Sequence, residues 1–362
     1  MQFHIDPDIG SARTLDAAFY TSQEYFELSK SRIFAKTWHY LGDHDAVAVA
    51  GKAMPVTLLD KFMPEPLVVT RDNDKQLHCL SNVCTHRGAL LIQRTCKLHD
   101  IRCPYHGRRF SLAGQFLSMP EFKEVKNFPA AADNLPQLPL HAFGKWLFTS
   151  LDASAASQPF FADMEARVGW MPFDQFVFRP DLSRDYEIQA HWALYCENYL
   201  EGFHIPYVHA SLNQVIDYAN YTTELFKYSN LQLGIAKPGE LIFDLPLQSP
   251  DHGKRVAGYY FFVFPNMMFN FYPWGLSINV VQPLASNHTK VSFLTYVWDE
   301  NKLEQGAGSD LNRVELEDEA VVESVQQGIS SRLYQGGRYS VTRETGTHHF
   351  HRMLAEFMNN EA

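Results

Sequence analysis

The chain has 362 residues, of which 46% are hydrophobic and 20% charged, a composition typical of a globular protein with room for two domains. Its formal net charge of −10 argues against a nucleic-acid binder, because such proteins need a basic surplus to replace phosphate counterions. The most hydrophobic run, residues 258–276, is interrupted by Pro265 and Pro273, so we do not expect it to span a membrane.

The cysteines and the N-terminus predict the cellular compartment. Five cysteines are scattered along the chain, unlike the dense, even set of a disulfide-rich secreted domain. The first ten residues include Asp6 and Asp8 and have no apolar core, so we expect no signal peptide. These features predict a cytoplasmic protein in a reducing environment.

The chain begins with a helical segment, which is followed by a long series of short β segments. Within residues 14–38 the apolar side chains recur at helical spacing, and Ser22 is a suitable N-cap. Within residues 40–148 short β segments alternate with Gly, Pro, Asn and Asp, which predicts a small antiparallel sandwich. The small and polar residues 151–159 are expected to form a linker.

Two Cys–His pairs lie inside this β region. They read Cys84-x-His86 and Cys103-x₂-His106, with sixteen residues between them. Two thiolates on one iron and two imidazoles on the other form the ligand set of a Rieske [2Fe–2S] centre. A structural zinc site is the alternative, but zinc fingers usually pair Cys with Cys and His with His. The spacing therefore favours a Rieske cluster clamped by two loops.

Beyond the linker, helical and β patterns alternate. We expect helices over residues 161–170, 191–204 and 310–334, the last of which closes the chain. Strands are expected over residues 183–189 and within residues 241–297, where aromatic and β-branched side chains are dense.

His204 and His209 are candidate metal ligands. They are five residues apart and do not share a face of a regular helix. Pro206 disfavours helix at Ile205, so we expect the chain to bend between the two imidazoles and to let them converge on one ion. The alternative is two unrelated histidines in a chain that has sixteen.

The helix over residues 310–334 supplies a candidate third ligand. Asp318 falls on its apolar stripe, where a carboxylate without a partner is costly. Two histidines and one carboxylate that leave open positions are typical of non-haem Fe(II), so we expect Asp318 to bind the ion. Four glutamates lie off the stripe or at its margin and are expected to form a solvated acidic face: Glu315, Glu317, Glu319 and Glu323.

The order of these motifs resembles the oxygenase (alpha) component of Rieske non-haem iron oxygenases. After the two Cys–His pairs the chain continues as Asn198-x₂-Glu201-x₂-His204-x₄-His209, and then the aspartate follows on a late helix. The resemblance covers almost the whole chain and is greatest to the choline monooxygenase-like branch of that family. Further stretches that carry it are residues 264–270, 317–328, 337–339 and 348–351.

The resemblance implies an α+β fold with three parts. Residues 1–39 form an N-terminal helical segment that packs on the catalytic domain. Residues 40–150 form an N-terminal Rieske [2Fe–2S] domain of antiparallel β structure. Residues 151–362 form a C-terminal catalytic domain with a helix-grip fold, in which an antiparallel sheet wraps a long helix. It also implies a homotrimer, in which the cluster of one subunit reduces the iron of its neighbour.

The resemblance also assigns roles to residues. The cluster ligands are Cys84, His86, Cys103 and His106, and the mononuclear Fe(II) ligands are His204, His209 and Asp318. Asn198 and Glu201 are the expected catalytic residues. Glu201 is expected to bridge a cluster histidine, His106 of the neighbouring subunit, to the iron-binding histidines by accepting ring N–H bonds. The alternative for Glu201 is a salt-bridged helix residue.

The activity implied by the resemblance is hydroxylation of a small organic substrate with O₂. The electrons come from a separate NAD(P)H-dependent reductase, with or without a ferredoxin. An N-methylated or quaternary amine, subject to monooxygenation or N-demethylation, is the leading substrate class. An aromatic carboxylate acted on by a ring-hydroxylating oxygenase is the alternative. A Rieske electron-transfer protein without mononuclear iron activity is an alternative of another class, although such a carrier needs only about a hundred residues.

Aromatic side chains near the iron can cage a quaternary ammonium by cation–π attraction, worth roughly 0.5–2 kcal/mol per contact. The candidates for such a substrate pocket are Phe203, Tyr207, Phe269, Phe271, Tyr272 and Trp274. The alternative is that these rings fill the core between sheet and helix.

One position departs from the family pattern. The family usually continues from the second His-Gly with an aromatic residue, whereas here His106-Gly107 is followed by Arg108 and Arg109. We expect these arginines to change the surface beside the cluster, where a subunit or the reductase docks.

Overall fold

The computed structural model describes residues 2–303 and 305–360. The chain forms two compact units, and the first of them is discontinuous in sequence. It combines the chain up to Phe34 with the chain from Ala156 onward, whereas the second unit is Ala35–Ala155. No helix within the described ranges is both long and apolar enough to cross a lipid bilayer.

The Ala35–Ala155 unit is built from eleven strands in three antiparallel sheets. The strands are β1 (Trp38–Asp43), β2 (Lys52–Leu58), β3 (Glu65–Arg71), β4 (Leu77–Ser81), β5 (Cys96–Lys97), β6 (Ile101–Arg102), β7 (Arg109–Phe110), β8 (Phe116–Ser118), β9 (Gln137–Leu138), β10 (Leu140–Phe143) and β11 (Trp146–Ser150). They pair in the orders β1-β11-β10, β5-β2-β3-β4-β9 and β6-β7-β8. The predicted small antiparallel architecture is confirmed.

The second sheet system belongs to the discontinuous unit and contains eight strands among the residues described there. The strands are β12 (Val177–Phe178), β13 (Arg184–Ile188), β14 (Thr222–Leu225), β15 (Ser229–Ile235), β16 (Val256–Val263), β17 (Met267–Tyr272), β18 (Gly275–Ala285) and β19 (His288–Val297). Their order is β12-β19-β18-β17-β16-β15-β14, and β13 also pairs with β19. The sheet is antiparallel throughout, so the predicted α+β class is confirmed.

The α-helices of the described chain all lie in the discontinuous unit. They are α1 (Ala18–Thr21), α2 (Gln23–Arg32), α3 (Gln158–Val168), α4 (Trp192–Tyr199), α5 (Ile205–Val208), α6 (Leu212–Val215), α7 (Leu311–Ile329) and α8 (Thr345–Asn359). Ser22 is the N-cap residue of α2, as expected, although its side chain makes no capping hydrogen bond.

The helix expected over residues 310–334 is α7, but α7 does not close the chain. It ends at Ile329, and α8 follows. The prediction that α7 is the last helix is therefore wrong. The hydrophobic pattern did not reveal α8, because two of its buried positions are histidines, His348 and His351.

The helix break predicted between the two candidate iron-binding histidines lies instead before His204. The helix expected over residues 191–204 ends at Tyr199, and residues 200–204 form an irregular turn. Pro206 does not exclude Ile205 from a helix, because it lies in the first turn of α5, where a missing N–H needs no partner. His204 and His209 thus flank the single turn of α5.

The two ends of the discontinuous unit are joined by hydrogen bonds. The N–H of Phe3 donates to the Asn359 carboxamide at 2.9 Å, and the same carboxamide donates to the Phe3 carbonyl at 2.6 Å. On the same helix, His348 Nε2 lies 2.8 Å from the carbonyl of Asp6. The N-terminal segment is therefore fastened to α8.

Candidate metal centres

Two loops of the Ala35–Ala155 unit share one backbone pattern. We call residues 84–89 the first cluster loop and residues 103–108 the second cluster loop. In each, the cysteine N–H donates to the carbonyl five residues on, at 2.9 and 2.8 Å, and the glycine N–H four residues on donates to the cysteine carbonyl, at 3.0 and 3.1 Å. Gly88 and Gly107 close these turns with φ of +69° and +74°, a region that favours glycine. The two turns hold the cysteines alike, whereas the histidine follows its cysteine by two residues in the first loop and by three in the second.

The side chains of the two loops converge. Cys84 and Cys103 are buried in the same apolar cluster, and the imidazole centroids of His86 and His106 lie 4.8 Å apart. Burial raises the pKa of the Cys84 thiol, and the neighbouring thiol of Cys103 adds to this rise. The structure thus brings together all four sequence-predicted cluster residues. His106 Nδ1 is buried without a hydrogen-bond partner among the described residues.

Arg108 lies inside the protein. It is only 2% exposed, and it donates hydrogen bonds to Asp133 Oδ1 at 2.6 Å and to the Asp133 carbonyl at 3.0 Å. The hydroxyl of Thr85 donates to the same carbonyl at 3.0 Å, so Asp133 ties both cluster loops together. Three rings surround the guanidinium at 5.6, 5.0 and 5.5 Å: Phe110, Phe116 and Phe128. The expectation that Arg108 alters the surface is wrong, whereas Arg109 is exposed and pairs with Asp100.

A second group of donor atoms lies in the discontinuous unit, where α5 approaches α7. His209 Nε2 lies 3.2 Å from His204 Nε2 and 3.0 Å from Asp318 Oδ1, and His204 Nε2 lies 3.5 Å from the same oxygen. Ligands bound at about 2.1 Å and at right angles around one ion are spaced about 3 Å apart. The two histidines and Asp318 therefore fit a single metal ion.

The opposite ring nitrogens are held by carboxylates. Glu201 Oε1 lies 2.6 Å from His204 Nδ1, and Glu317 Oε2 lies 2.8 Å from His209 Nδ1. Glu201 Oε2 also accepts the backbone N–H groups of Phe203 and His204. Such contacts fix the ring orientation and leave each Nε2 free to face an ion. Glu317 was expected to be solvated, which is wrong.

The charge around His209 also favours a metal. Although burial alone lowers the pKa of an imidazole, hydrogen bonds and negative charge from Asp318 and Glu317 raise the pKa of His209. These carboxylates supply the negative charge that a bound cation would neutralise.

A cavity of about 790 Å³, partly open to solvent, adjoins this cluster. Its lining includes the predicted catalytic residues Asn198 and Glu201 together with His204, His209 and Asp318. Six aromatic residues also line it: Tyr195, Tyr199, Tyr221, Tyr260, Tyr272 and Phe293. Among the described residues that line it there is no lysine and no arginine.

Of the aromatic residues proposed from the sequence, only Tyr272 lines this cavity. Side chains alternate between the faces of a strand, so Asn270 and Tyr272 of β17 face the cavity while their neighbours, Phe269 and Phe271, are buried on the other face. Trp274 stacks behind Tyr272, with ring centroids 5.1 Å apart. Phe203 and Tyr207 are also outside the lining, and their side chains are exposed.

Glu315 lines the same cavity and was missed by the sequence analysis, which placed it on a solvated face. It is only 3% exposed, and its Oε2 accepts a hydrogen bond from the Tyr195 hydroxyl at 2.6 Å. Glu323 is also engaged, because it accepts the backbone N–H of Gln189 at 2.8 Å. The sequence carried a signal for Glu315: it stands three residues before Asp318, which places both on one face of a helix.

Family models match both parts of the chain. The model of the Rieske [2Fe-2S] domain matches residues 37–129, and that of the ring hydroxylating alpha subunit (catalytic domain) matches residues 177–360. The chain belongs to the Rieske ring-hydroxylating oxygenase family. It is therefore an iron-dependent oxygenase with a Rieske [2Fe–2S] cluster and mononuclear iron, and its electrons come from a reductase. The family, domain order and cofactors predicted from the sequence are confirmed.

Relatives of known activity match over nearly the whole length of this oxygenase. The chloroplastic choline monooxygenase of Arabidopsis thaliana is 30% identical over 379 residues, which cover 96% of this chain and 84% of the relative. The carnitine monooxygenase oxygenase subunit of Escherichia coli (strain K12) is 29% identical over 364 residues, with 95% and 94% covered.

Solved structures with the same fold include both monooxygenases and dioxygenases. A quaternary ammonium Rieske monooxygenase superposes with a TM-score of 0.79 at 24% identity, covering 98% of this chain and 99% of the other. Naphthalene 1,2-dioxygenase from Rhodococcus sp. gives 0.75 at 19% identity, covering 98% and 96%. At these identities the likeness supports the fold alone.

Proposed function

We propose that this oxygenase hydroxylates a small quaternary or N-methylated amine, by monooxygenation or N-demethylation. The observation that carries the proposal is the cavity beside the His204–His209–Asp318 cluster. Aromatic rings wall it, and its carboxylates come from Glu201, Glu315 and Asp318. Aromatic faces and carboxylates both attract a cation. The choline and carnitine monooxygenase relatives support this substrate class.

The alternative substrate class, an aromatic carboxylate, suits this cavity less well. A buried substrate carboxylate is stabilised most strongly by a cationic partner, because desolvating an unpaired charge is costly. The described lining offers neither arginine nor lysine for such a pairing. The charge of the cavity thus favours the amine.

The residues present fit both family cofactors, and we assign the ligands accordingly. Cys84, His86, Cys103 and His106 would hold the cluster, and the free Nδ1 of His106 is the kind of donor atom that a metal satisfies. The other site would hold Fe(II) through His204, His209 and Asp318. When bound, the cluster passes single electrons, and the iron activates O₂ for attack on a C–H bond.

The chain itself orients the ligands and the substrate. Glu201 and Glu317 hold the two imidazoles by their Nδ1 atoms, and the aromatic walls exclude water from the substrate. In the homotrimer that we propose, Glu201 also accepts the ring N–H of His106 of the partner subunit and so couples the two centres. Asn198 is a cavity-lining amide suited to position substrate or O₂.

A product assay tests the substrate class. The holoenzyme, a surrogate reductase and NADH are incubated with choline, betaines, carnitine and, in parallel, benzoate-type acids. We expect substrate-dependent NADH oxidation and an oxygenated or demethylated product from at least one amine. If only the aromatic acids yield hydroxylated product, the amine proposal is wrong.

An iron assay tests the alternative of an electron carrier. An oxygenase should bind about three iron atoms per chain, whereas a carrier with only the cluster binds about two. The His209→Ala variant is the matched control, because it should lower the count to that of the carrier while leaving the Rieske electron paramagnetic resonance (EPR) signal unchanged.

A further inference from the structure

We propose that Glu315, held by Tyr195, is the anionic partner of the substrate's ammonium group and sets the preference of the cavity for cations. This inference rests on the proposed amine substrate and names the residue that recognises it.

One carboxylate oxygen of Glu315 lacks a hydrogen-bond partner within the described part of the chain. The Tyr195 hydroxyl donates to Oε2, whereas Oε1 is buried and has no hydrogen-bond partner among the residues described. Burying a polar atom without a partner costs free energy. An unpartnered carboxylate oxygen beside a cavity therefore indicates that a ligand binds there. Tyr195 also holds the carboxylate in one orientation, so little order is lost when a ligand binds.

The other carboxylates of this site already have basic partners. Glu201 contacts His204 Nδ1, and Glu317 contacts both His209 Nδ1 and Arg313 Nε, the latter at 3.1 Å. Among the described residues, the hydrogen bond of Glu315 is made to a neutral phenol. Glu315 is therefore the cavity carboxylate whose negative charge is available to bind a cation from outside the protein.

Burial makes the charge of Glu315 unfavourable in the absence of such a cation. Desolvation raises the pKa of Glu315 well above its usual value, Tyr195 opposes this rise, and the charge of Asp318 adds to it. An ammonium ion in the cavity would reverse the effect, because an opposite charge stabilises the carboxylate. Ion pairing in this position is then much stronger than in water.

The position of Glu315 suits a substrate that reacts at or near its N-methyl groups. Glu315 and Asp318 are three residues apart on α7, so their Cβ atoms are separated by about 5–6 Å. An ammonium group held by Glu315 would thus be close enough to the proposed iron ligands for a small substrate to span the two positions. Tyr195 and the other cavity tyrosines surround that volume.

The test compares a charged ligand with its uncharged carbon isostere. Choline and 3,3-dimethylbutan-1-ol are titrated calorimetrically into oxidised holoenzyme with its full iron content. For Glu315→Gln, which keeps an acceptor for Tyr195, we expect choline affinity to fall on the order of tenfold or more. The affinity for the alcohol should be unchanged, because it carries no charge for Glu315 to recognise.

The Glu323→Gln variant is the matched control. Glu323 lies on the same helix but is not among the described residues that line the cavity, and glutamine can still accept the Gln189 N–H, so both ligands should bind this variant as they bind the wild type. Equal choline affinity in the wild type and Glu315→Gln, with iron content and EPR signal intact, overturns the role of Glu315 alone. Wild-type holoenzyme that binds no quaternary amine at all overturns the proposed function and this inference with it.

Discussion

Arg108 brings a full positive charge into the interior of the Rieske unit. Its charge is compensated by Asp133, and its flat guanidinium is enclosed by three phenylalanine rings. A lysine could not reproduce the planar stacking together with the pair of hydrogen bonds to one residue. The position where the resemblance predicts an aromatic residue therefore holds a cation that aromatic rings enclose.

Replacing Arg108 by glutamine should destabilise the cluster loops. The change leaves Asp133 without its charged partner and opens space between the rings, which should cost about 2 kcal/mol or more, although partial exposure of Asp133 limits the loss. Urea unfolding followed by the visible circular dichroism of the cluster measures this. Arg109→Gln removes the neighbouring exposed pair and is the control. Equal midpoints for the two variants would contradict the role of Arg108.

Single residues differ in how far the sequence revealed them. Cys84 and Asp318 were identified because their chemistry and spacing are unusual, whereas Glu315 and Glu317 have the appearance of an ordinary charged helix. Their hydrogen-bond partners come from α4 and from the end of α5, which are more than a hundred residues away in sequence. No local pattern contains that information.

At the scale of elements, α8 packs closely against the turn that carries Glu201. A Cβ atom on Gly346, in the first turn of α8, would lie 2.3 Å from the carbonyl oxygen of Leu200, closer than any real contact allows. Leu200 directly precedes Glu201, which contacts the imidazole of His204. The close packing of Gly346 therefore helps to position a proposed iron ligand.

The Gly346→Ala variant should therefore lose stability and iron affinity together. Overpacking against a backbone atom typically costs about 1–3 kcal/mol. Gly328→Ala on α7 is the control, since no atom lies within 4 Å of its Cβ position and alanine favours a helix by about 0.5–1 kcal/mol. Urea unfolding and Fe(II) titration measure both effects. A Gly346→Ala protein as stable as the wild type would show that the turn can move freely.

Elements with a clear period were predictable, and those with buried polar residues were not. The helical stripe predicted α7, and the short β segments between turn residues predicted the strand-rich Rieske unit. In β15, Leu231 and Leu233 form a buried apolar face, but Asn230 and Gln232 on the opposite face are buried as well, so the polar positions do not mark a solvent-facing side. The same difficulty concealed α8, whose buried face includes histidines.

At the scale of the whole molecule, the proposed ligands of each metal centre all come from one unit of the chain. The cluster residues lie in Ala35–Ala155, and the iron residues lie in the discontinuous unit. The two centres should therefore assemble independently.

Removing one centre should leave the other intact. We expect Cys103→Ser to lose the Rieske EPR signal and about two iron atoms per chain while it retains one iron. Iron and sulfide analysis together with EPR spectra of Cys103→Ser and His209→Ala test this prediction. If Cys103→Ser also fails to bind the single iron, the two units depend on each other for folding.

The hydrogen bonds between Phe3 and Asn359 can form only late in the synthesis of this chain. The two residues are separated by 356 positions, so Phe3 can reach its partner only after all of the intervening residues have been synthesised. Ala35–Ala155 is contiguous and can fold on the ribosome long before then. Iron–sulfur delivery can thus begin on a nascent chain whose oxygen-activating half is still being synthesised.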